Sequence, residues 1–252
     1  MITVKNKNEV NKMRISNRVV GELLLNLEDL VKPGISTFEL NEYAEEFIRK
    51  NGAQAAFKGY VMNGLNPFPA AICASVNSCI VHGIPSRKVI LREGDIIGVD
   101  VGILKDGFYG DAARTYRVGG ISPEGDELIK VTEKSFFRGI SKAVAGARIG
   151  DISYAIGSFV KDNGYFVADN LTGHGIGRNL HEDPIIPNSG IEGRGPRLMP
   201  GMTLAIEPMV NIGTNRVKEI GWEFYVADDT LSAHYENTIL ITDGEPEILS
   251  IA

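Results

Sequence analysis

The stretch Glu93–Arg114, EGDIIGVDVGILKDGFYGDAAR, decides the fold. It predicts a β-hairpin, because an apolar run over Ile96–Leu104 is followed by a Lys-Asp-Gly turn and by a return strand through Phe108 and Tyr109. Glycine beside aspartate is typical of such a tight turn. We therefore expect two antiparallel strands with the turn at their tip.

Two acids, Asp100 and Asp111, lie inside the apolar segments of this hairpin. Burying a carboxylate among side chains such as Val99 and Val101 costs several kcal/mol unless a positive charge meets it. Turn chemistry explains Asp106, but it does not explain the two acids in the strands. The sequence therefore predicts that Asp100 and Asp111 face a cation.

The composition is that of an ordinary globular chain of 252 residues, 43% of them hydrophobic and 23% charged. A net charge of −6 gives no reason to expect nucleic acid or a membrane surface as a partner. The first residues, MITVKNKNEVNKMR, lack the apolar core of a signal peptide, so we expect a cytoplasmic protein.

Helical spacing of apolar residues predicts a helix over Asn8–Leu30. A capping box at Ser36–Glu39 begins a second helix, which ends before Gly52. A strand-like segment over Ala70–Val76 and a turn at His82–Pro85 follow, and the hairpin comes next.

The second half of the chain repeats this order, beginning with helical stretches at 124–143 and 152–160. The His-Gly-Ile turn recurs at 174–176, and the GDIIGVD of the hairpin recurs as GMTLAIE, which ends at Glu207. Three kinds of match in the same order indicate a duplicated helix–helix–strand–strand unit within one α+β domain, residues 1–252.

The second copy adds further acids in apolar segments, Glu207 and Glu236, and a histidine between glycines, His174. If a pseudo-twofold axis relates the copies, Asp100 and Glu207 approach it from opposite sides, and Asp111 has its counterpart in Glu236. Four carboxylates balance the charge of two divalent cations, and two such ions with a shared water form a hydrolytic centre. Oxygen ligands favour manganese, iron or cobalt over an all-thiolate zinc site.

Other interpretations have weaker support. A lone acid near a strand end is usually a surface or turn residue, which is how we interpret Asp95, Asp126 and Glu219. The glycine-rich run at 173–177 lacks the helix and the later acid of a dinucleotide site. No Gly-x-Ser-x-Gly motif supports a serine nucleophile, and Cys73 is interpreted as a small buried residue or pocket wall.

The chain resembles the pita-bread dinuclear metallopeptidases, and within them it is most similar to type I methionine aminopeptidases of the short bacterial kind. The resemblance covers essentially the whole chain. The segments that show it are Cys73–Asn77, His82–Pro85, Gly94–Asp111, Leu171–Gly177, His181–Pro184, Ala205–Pro208 and Tyr235–Thr238. It implies duplicated halves around a curved antiparallel sheet.

The same resemblance implies a ligand set for two divalent ions, with cobalt, manganese, iron or zinc as the candidates. Asp111 and Glu236 would bridge the ions, Asp100 would chelate the second, and His174 and Glu207 would complete the first. Glu207 would also accept and donate the proton of the attacking water.

The resemblance further implies that His181 donates to the oxyanion and that His82 contacts the scissile amide. With these two histidines, the pocket for the initiator methionine would be lined by Tyr60, Phe68, Cys73, Leu180 and Trp222. The implied activity is removal of N-terminal methionine before a small second residue. The implied partners are nascent chain ends near the ribosome, and we expect a monomer.

Three departures from the family pattern affect the pocket rather than the ligands. The usual histidine after the last ligand is Asn237, a common phenylalanine is Leu180, and the loop at 61–66 is longer than usual. Two alternatives stay open: a peptidase for X-Pro bonds, which would be expected to have an additional N-terminal domain, and a metal-free binding protein, which would be expected to have lost ligands.

Overall fold

The structure is a computed structural model that describes residues 2–61 and 64–251. Its helices are α1 (Lys7–Leu30), α2 (Thr37–Lys50), α3 (Pro123–Ile140) and α4 (Ile149–Asp162). The strands of the first half are β1 (Gln54–Ala55), β2 (Ile72–Val76), β3 (Cys79–Val81), β4 (Ile96–Lys105) and β5 (Phe108–Arg117). The strands of the second half are β6 (Phe166–Val167), β7 (Thr172–Gly175), β8 (Glu182–Pro187), β9 (Thr203–Ile206), β10 (Met209–Asn211), β11 (Val217–Ile220), β12 (Glu223–Val226), β13 (Ser232–His234), β14 (Asn237–Leu240) and β15 (Glu247–Ile248). No helix within the described ranges is both long and apolar enough to cross a membrane.

The helices of the first half begin at side-chain caps. The predicted capping box is confirmed: the Ser36 hydroxyl accepts a hydrogen bond from the backbone of Glu39, whose carboxylate accepts one from the backbone of Ser36. A second capping box joins Asn6 and Glu9 at the start of α1. Both boxes satisfy backbone N–H groups that the first turn of a helix leaves without partners.

The predicted hairpin is present as β4 and β5, which pair antiparallel from Ile96 opposite Arg117 to Lys105 opposite Phe108. Asp106 at the tip has a positive φ of 51°, as turn chemistry requires. Helix α1 packs closely on this hairpin, because a Cβ at Gly110 would lie 2.9 Å from the backbone of Asn17. The glycine therefore lets the helix approach the strand.

The two halves repeat one arrangement, as predicted. In the first half, α1 and α2 pack on the sheet that contains β1, β2, β4 and β5. In the second half, α3 and α4 pack on the sheet with strand order β15-β14-β9-β7-β8. The sheets meet where Ala113 and Glu236 exchange two backbone hydrogen bonds, of 2.9 and 3.3 Å. This junction brings the strands that contain acids to the middle of the molecule.

Some predicted boundaries differ from those observed. The strand expected from Ala70 begins at Ile72, and the helix expected to continue to Ala143 ends at Ile140. Element ends depend on contacts that periodicity alone does not specify. The long loop predicted at 61–66 lies partly outside the described residues, which omit positions 62 and 63.

Candidate metal centre and adjoining pocket

The four predicted acids, which we call the carboxylate cluster (Asp100, Asp111, Glu207 and Glu236), come together between the two halves. Asp100 and Asp111 lie within β4 and β5. Glu207 directly follows β9, and Glu236 directly precedes β14. The apolar segments around the two glutamates predicted strands through them, but in the structure both lie at strand ends.

Backbone contacts hold these strand ends in place. Asn188 Nδ2 donates to the Glu207 carbonyl at 2.9 Å, and Arg114 Nη1 donates to the Glu236 carbonyl at 2.6 Å. Arg114 also donates to the side chain of Asn237 at 2.7 Å. The residue that departs from the family pattern thus helps to hold the arginine that supports Glu236.

Burial and mutual repulsion strongly disfavour ionisation in the carboxylate cluster. Loss of hydration raises the pKa of Asp100 to about 7 and that of Glu207 to about 8. Burial, together with the nearby carboxylates, raises the pKa values of Asp111 and Glu236 well above the ordinary range. These groups are destabilised in their charged form unless a cation accompanies them.

Several buried oxygens of the cluster have no hydrogen-bond partner within the described ranges: Asp100 Oδ1, Asp111 Oδ1 and Glu236 Oε1. Buried acceptors are otherwise nearly always paired. Unpaired carboxylate oxygens that converge between two halves are suitable ligands for hard divalent cations. The carboxylate cluster is therefore chemically suited to hold divalent metal ions, and we expect the protein to bind them.

His174 directs its ring nitrogen Nε2 into the same space. Its Nδ1 donates to the Gly175 carbonyl at 2.9 Å, because a carbonyl can only accept. The lone pair of Nε2 then faces Glu207 Oε1 at 3.6 Å and Asp111 Oδ2 at 3.8 Å. A nitrogen lone pair cannot form a hydrogen bond with ionised carboxylate oxygens, so this arrangement is favourable only when a cation lies between them. This orientation, fixed by the second ring nitrogen, is typical of metal-binding histidines.

A second imidazole that sequence reasoning missed lies on the other side of Glu207. His234 Nε2 is 3.6 Å from Glu207 Oε2 and 3.9 Å from Glu236 Oε2. The side chain is only 3% exposed, and burial lowers its pKa to about 4. Its position two residues before the predicted ligand Glu236 is the sequence signal that could have indicated it.

A cavity of about 330 Å³ opens above the cluster. All seven residues of the predicted methionine pocket line it: Tyr60, Phe68, Cys73, His82, Leu180, His181 and Trp222. Two further lining residues were not predicted, Phe57 and Val61. Val61 belongs to the loop at 61–66, which the sequence had already indicated to affect the pocket, whereas Phe57 lies in the segment after β1 and belongs to no predicted motif.

The apolar part of this cavity is tightly packed. The rings of Phe68 and Trp222 meet edge to face with centroids 5.4 Å apart, and both side chains are buried with Cys73. The indole Nε1 of Trp222 donates to the Asn66 carbonyl at 2.8 Å, so the long loop is tied to the pocket. An apolar lining beside convergent polar groups is the usual form of a ligand site.

The two remaining histidines line the same cavity as the pocket residues and the cluster. The His181 ring is 4.4 Å from the His174 ring, and its Nδ1 is 2.8 Å from the Tyr60 hydroxyl. His82 has a positive φ of 59°, which is strained for a residue with a side chain. Burial lowers the pKa of His82 to about 4, so its imidazole is neutral near pH 7.

The comparisons with known proteins agree with this geometry. Residues 11–243 match the model of metallopeptidase family M24. A methionine aminopeptidase of Clostridium perfringens (strain 13 / Type A) is 51% identical over 253 residues, which cover 100% of this chain and 99% of the relative. The crystal structure of a methionine aminopeptidase from Thermotoga maritima has a TM-score of 0.96 at 42% identity, with 100% of both chains covered.

A prolidase from Pyrococcus furiosus has a TM-score of 0.80 at 21% identity, over 99% of this chain and 65% of the prolidase. At that identity the likeness shows only the shared fold, which confirms the predicted pita-bread architecture. The full-length matches at higher identity also show the family. This chain belongs to metallopeptidase family M24, and within it to the group of the methionine aminopeptidases.

Proposed function

We propose that this chain removes the N-terminal methionine of polypeptides, using two divalent ions held by Asp100, Asp111, His174, Glu207 and Glu236. The observation that supports this most strongly is the convergence of unpaired carboxylate oxygens with the Nε2 lone pair of His174. Two ions match the charge of four carboxylates. We propose that residues 1–252 form a single catalytic domain, because the ligands come from both halves.

Divalent ions in such a centre supply an acidified water and polarise the substrate carbonyl. Asp111 and Glu236 are proposed as ligands shared by both ions, and Asp100 as a ligand of one ion only. Oxygen ligands favour manganese, iron or cobalt, with zinc as a further candidate. A ligand set made mostly of oxygen atoms can bind each of these divalent ions.

Glu207 is proposed to take the proton of the attacking water and to return it to the departing amine. Its carboxylate faces the cavity, where an ionised carboxylate can accept the proton of the attacking water. With the Tyr60 hydroxyl as donor to His181 Nδ1, the proton of His181 lies on Nε2. His181 can then donate a hydrogen bond to the developing oxyanion.

His82 is proposed to contact the amide that is cleaved. Its neutral ring lines the cavity next to Trp222, with ring centroids 6.3 Å apart. Phe68, Cys73 and Leu180 are proposed, with Tyr60 and Trp222, to bind the methionine side chain. A flexible thioether packs well against aromatic rings, and the sulfur adds a favourable contact with their edges.

The experiment compares cleavage of Met-Ala-Ser, Met-Lys-Ser and Ala-Pro by the full chain with added Mn²⁺ or Co²⁺. We expect fast release of methionine from Met-Ala-Ser, slower release before lysine, and no cleavage of Ala-Pro. Cleavage of Ala-Pro alone would establish the X-Pro alternative. Absence of bound metal and of any cleavage would instead favour the metal-free binding protein.

The expected partners are the ends of nascent chains near ribosomes, and the expected state is a cytoplasmic monomer. A relative's role in methionine removal supports the choice of substrate. Sedimentation with translating ribosomes tests the association with nascent chains, and light scattering of the purified chain tests the monomeric state. A stable dimer in solution would contradict the monomer.

A further inference from the structure

His234 lies beside the proposed metal centre without belonging to the proposed ligand set. Its Nε2 is buried and has no hydrogen-bond partner within the described ranges. The closest charged atoms are Glu207 Oε2, at 3.6 Å, and Glu236 Oε2, at 3.9 Å. Glu207 thus has an imidazole next to each oxygen: His174 faces Oε1 and His234 faces Oε2.

The backbone of His234 is fixed to both neighbouring strands. The Thr115 hydroxyl donates to the His234 carbonyl at 2.9 Å and accepts from the His234 N–H at 2.9 Å. On its other side, His234 pairs with Met209 across β10 and β13. The fixed backbone determines where the His234 ring can lie relative to Glu207, which directly follows β9.

The groups around the His234 ring determine which of its two nitrogens carries the proton. When Glu207 and Glu236 are ionised, as they would be with bound ions, their oxygens only accept hydrogen bonds, so two of them facing Nε2 favour the tautomer with the proton on that nitrogen. The present 3.6 Å gap exceeds the usual range of about 2.7–3.2 Å for an N–H···O bond. The Glu207 carboxylate would have to approach Nε2 by about 0.4 Å to reach the upper end of that range.

We propose that His234 is a positioning residue that donates its Nε2 hydrogen to Glu207 Oε2 and so directs Oε1 toward the ion that His174 binds. This inference rests on the proposed function, because Glu207 is there both ligand and proton acceptor. A donor on Oε2 holds the carboxylate in one orientation, and it leaves His234 outside the ligand set. Outer partners of this kind typically change metal affinity or activity by about 10–100-fold.

The test compares His234→Leu, which lacks a donor, with His234→Gln, which keeps a neutral N–H donor of similar reach. Ser232→Ala in the same strand is the matched control. Calorimetric titration of the metal-free proteins with Mn²⁺ is expected to show affinity reduced by about 10–100-fold for His234→Leu, and within a few-fold of wild type for the other two. The turnover number should follow the same order while KM changes little.

Unchanged Mn²⁺ affinity and turnover in His234→Leu would overturn the positioning role, provided that the wild type binds Mn²⁺. Failure of the wild type itself to bind Mn²⁺ would instead overturn the proposed centre. A measurement on the wild type needs no variant: long-range ¹H–¹⁵N spectra of the Zn²⁺-loaded protein should show His234 protonated on Nε2. Protonation on Nδ1, with Nε2 bound to the ion, would make His234 a direct ligand and refute the proposal.

Discussion

The carboxylate cluster and the aromatic pocket beside it are both buried, yet burial has opposite consequences in the two regions. Packing Phe68 and Trp222 removes apolar surface from water and stabilises the fold. Burying Asp111 and Glu236 raises their pKa values and opposes their ionisation. The pocket can therefore be formed by packing alone, whereas the ionised cluster needs a charged ligand to be stable.

The largest expected effect comes from removing one shared acid. Asp111→Asn should lower the turnover number by more than about 100-fold. Loss of a residue that only supports a ligand typically costs about 10–100-fold, and this change removes a proposed ligand. The same change should raise the melting temperature of the metal-free protein, because folding then no longer requires Asp111 to be protonated or its charge to be buried. Steady-state kinetics and calorimetric melting in the presence of a chelator measure the two effects.

Asp106→Asn is the matched control for that variant, because Asp106 lies at the exposed tip of the same hairpin, where asparagine tolerates a positive φ. It should change neither quantity. A metal-free Asp111→Asn protein that melts below the wild type would contradict the view that repulsion destabilises the empty cluster.

The pH dependence of the metal-free protein tests the same region without a mutation. Asp100 and Glu207 have folded pKa values of about 7 and 8, above the unfolded values of about 4. Their contribution to stability is fully present below about pH 4 and is lost as the pH rises through 7 to 8. The melting temperature with chelator should therefore fall by several degrees or more between pH 5.5 and 8.5.

Saturating Mn²⁺ should abolish most of that fall, because the bound ions favour the ionised carboxylates. Scanning calorimetry at matched ionic strength with and without Mn²⁺ measures the difference. Identical pH profiles under the two conditions would show that the cluster does not control stability.

The pocket should respond differently. Phe68→Leu removes an aromatic contact with Trp222 and leaves all proposed ligands intact, so Mn²⁺ affinity should not change. The loss of contact with the substrate side chain should lower kcat/KM for Met-Ala-Ser by about tenfold, mainly through KM. Phe137→Leu on the exposed face of α3 is the control. A change in Mn²⁺ affinity would show that the pocket and the cluster are not separable.

The smallest predicted effect lies at the border between the two regions. Tyr60→Phe removes the hydroxyl near His181 Nδ1, so the ring is no longer held in one tautomer. We expect the turnover number to fall by only a few-fold, roughly the 1 kcal/mol of one hydrogen bond. An unchanged turnover number would indicate that other contacts orient His181.

Local patterns in the sequence were sufficient for much of the fold. The hairpin, the capping box at Ser36–Glu39 and the repeated order of elements were all predicted, because periodicity and turn chemistry act over a few residues. The acids in the hairpin stood out for the same reason: a carboxylate in an apolar strand conflicts with its immediate neighbours. Family membership followed from motifs that the comparisons confirm.

Only the tertiary structure decided how distant segments meet. It joins Ala113 to Glu236, places the two glutamates at strand ends, and directs Asn237 to Arg114. It also brings His234 to 3.6 Å from Glu207, 27 positions away along the chain. No local pattern specifies such distances, because they depend on how two packed halves dock. The sequence by itself thus determined which groups need a cation, and packing decided which further groups surround it.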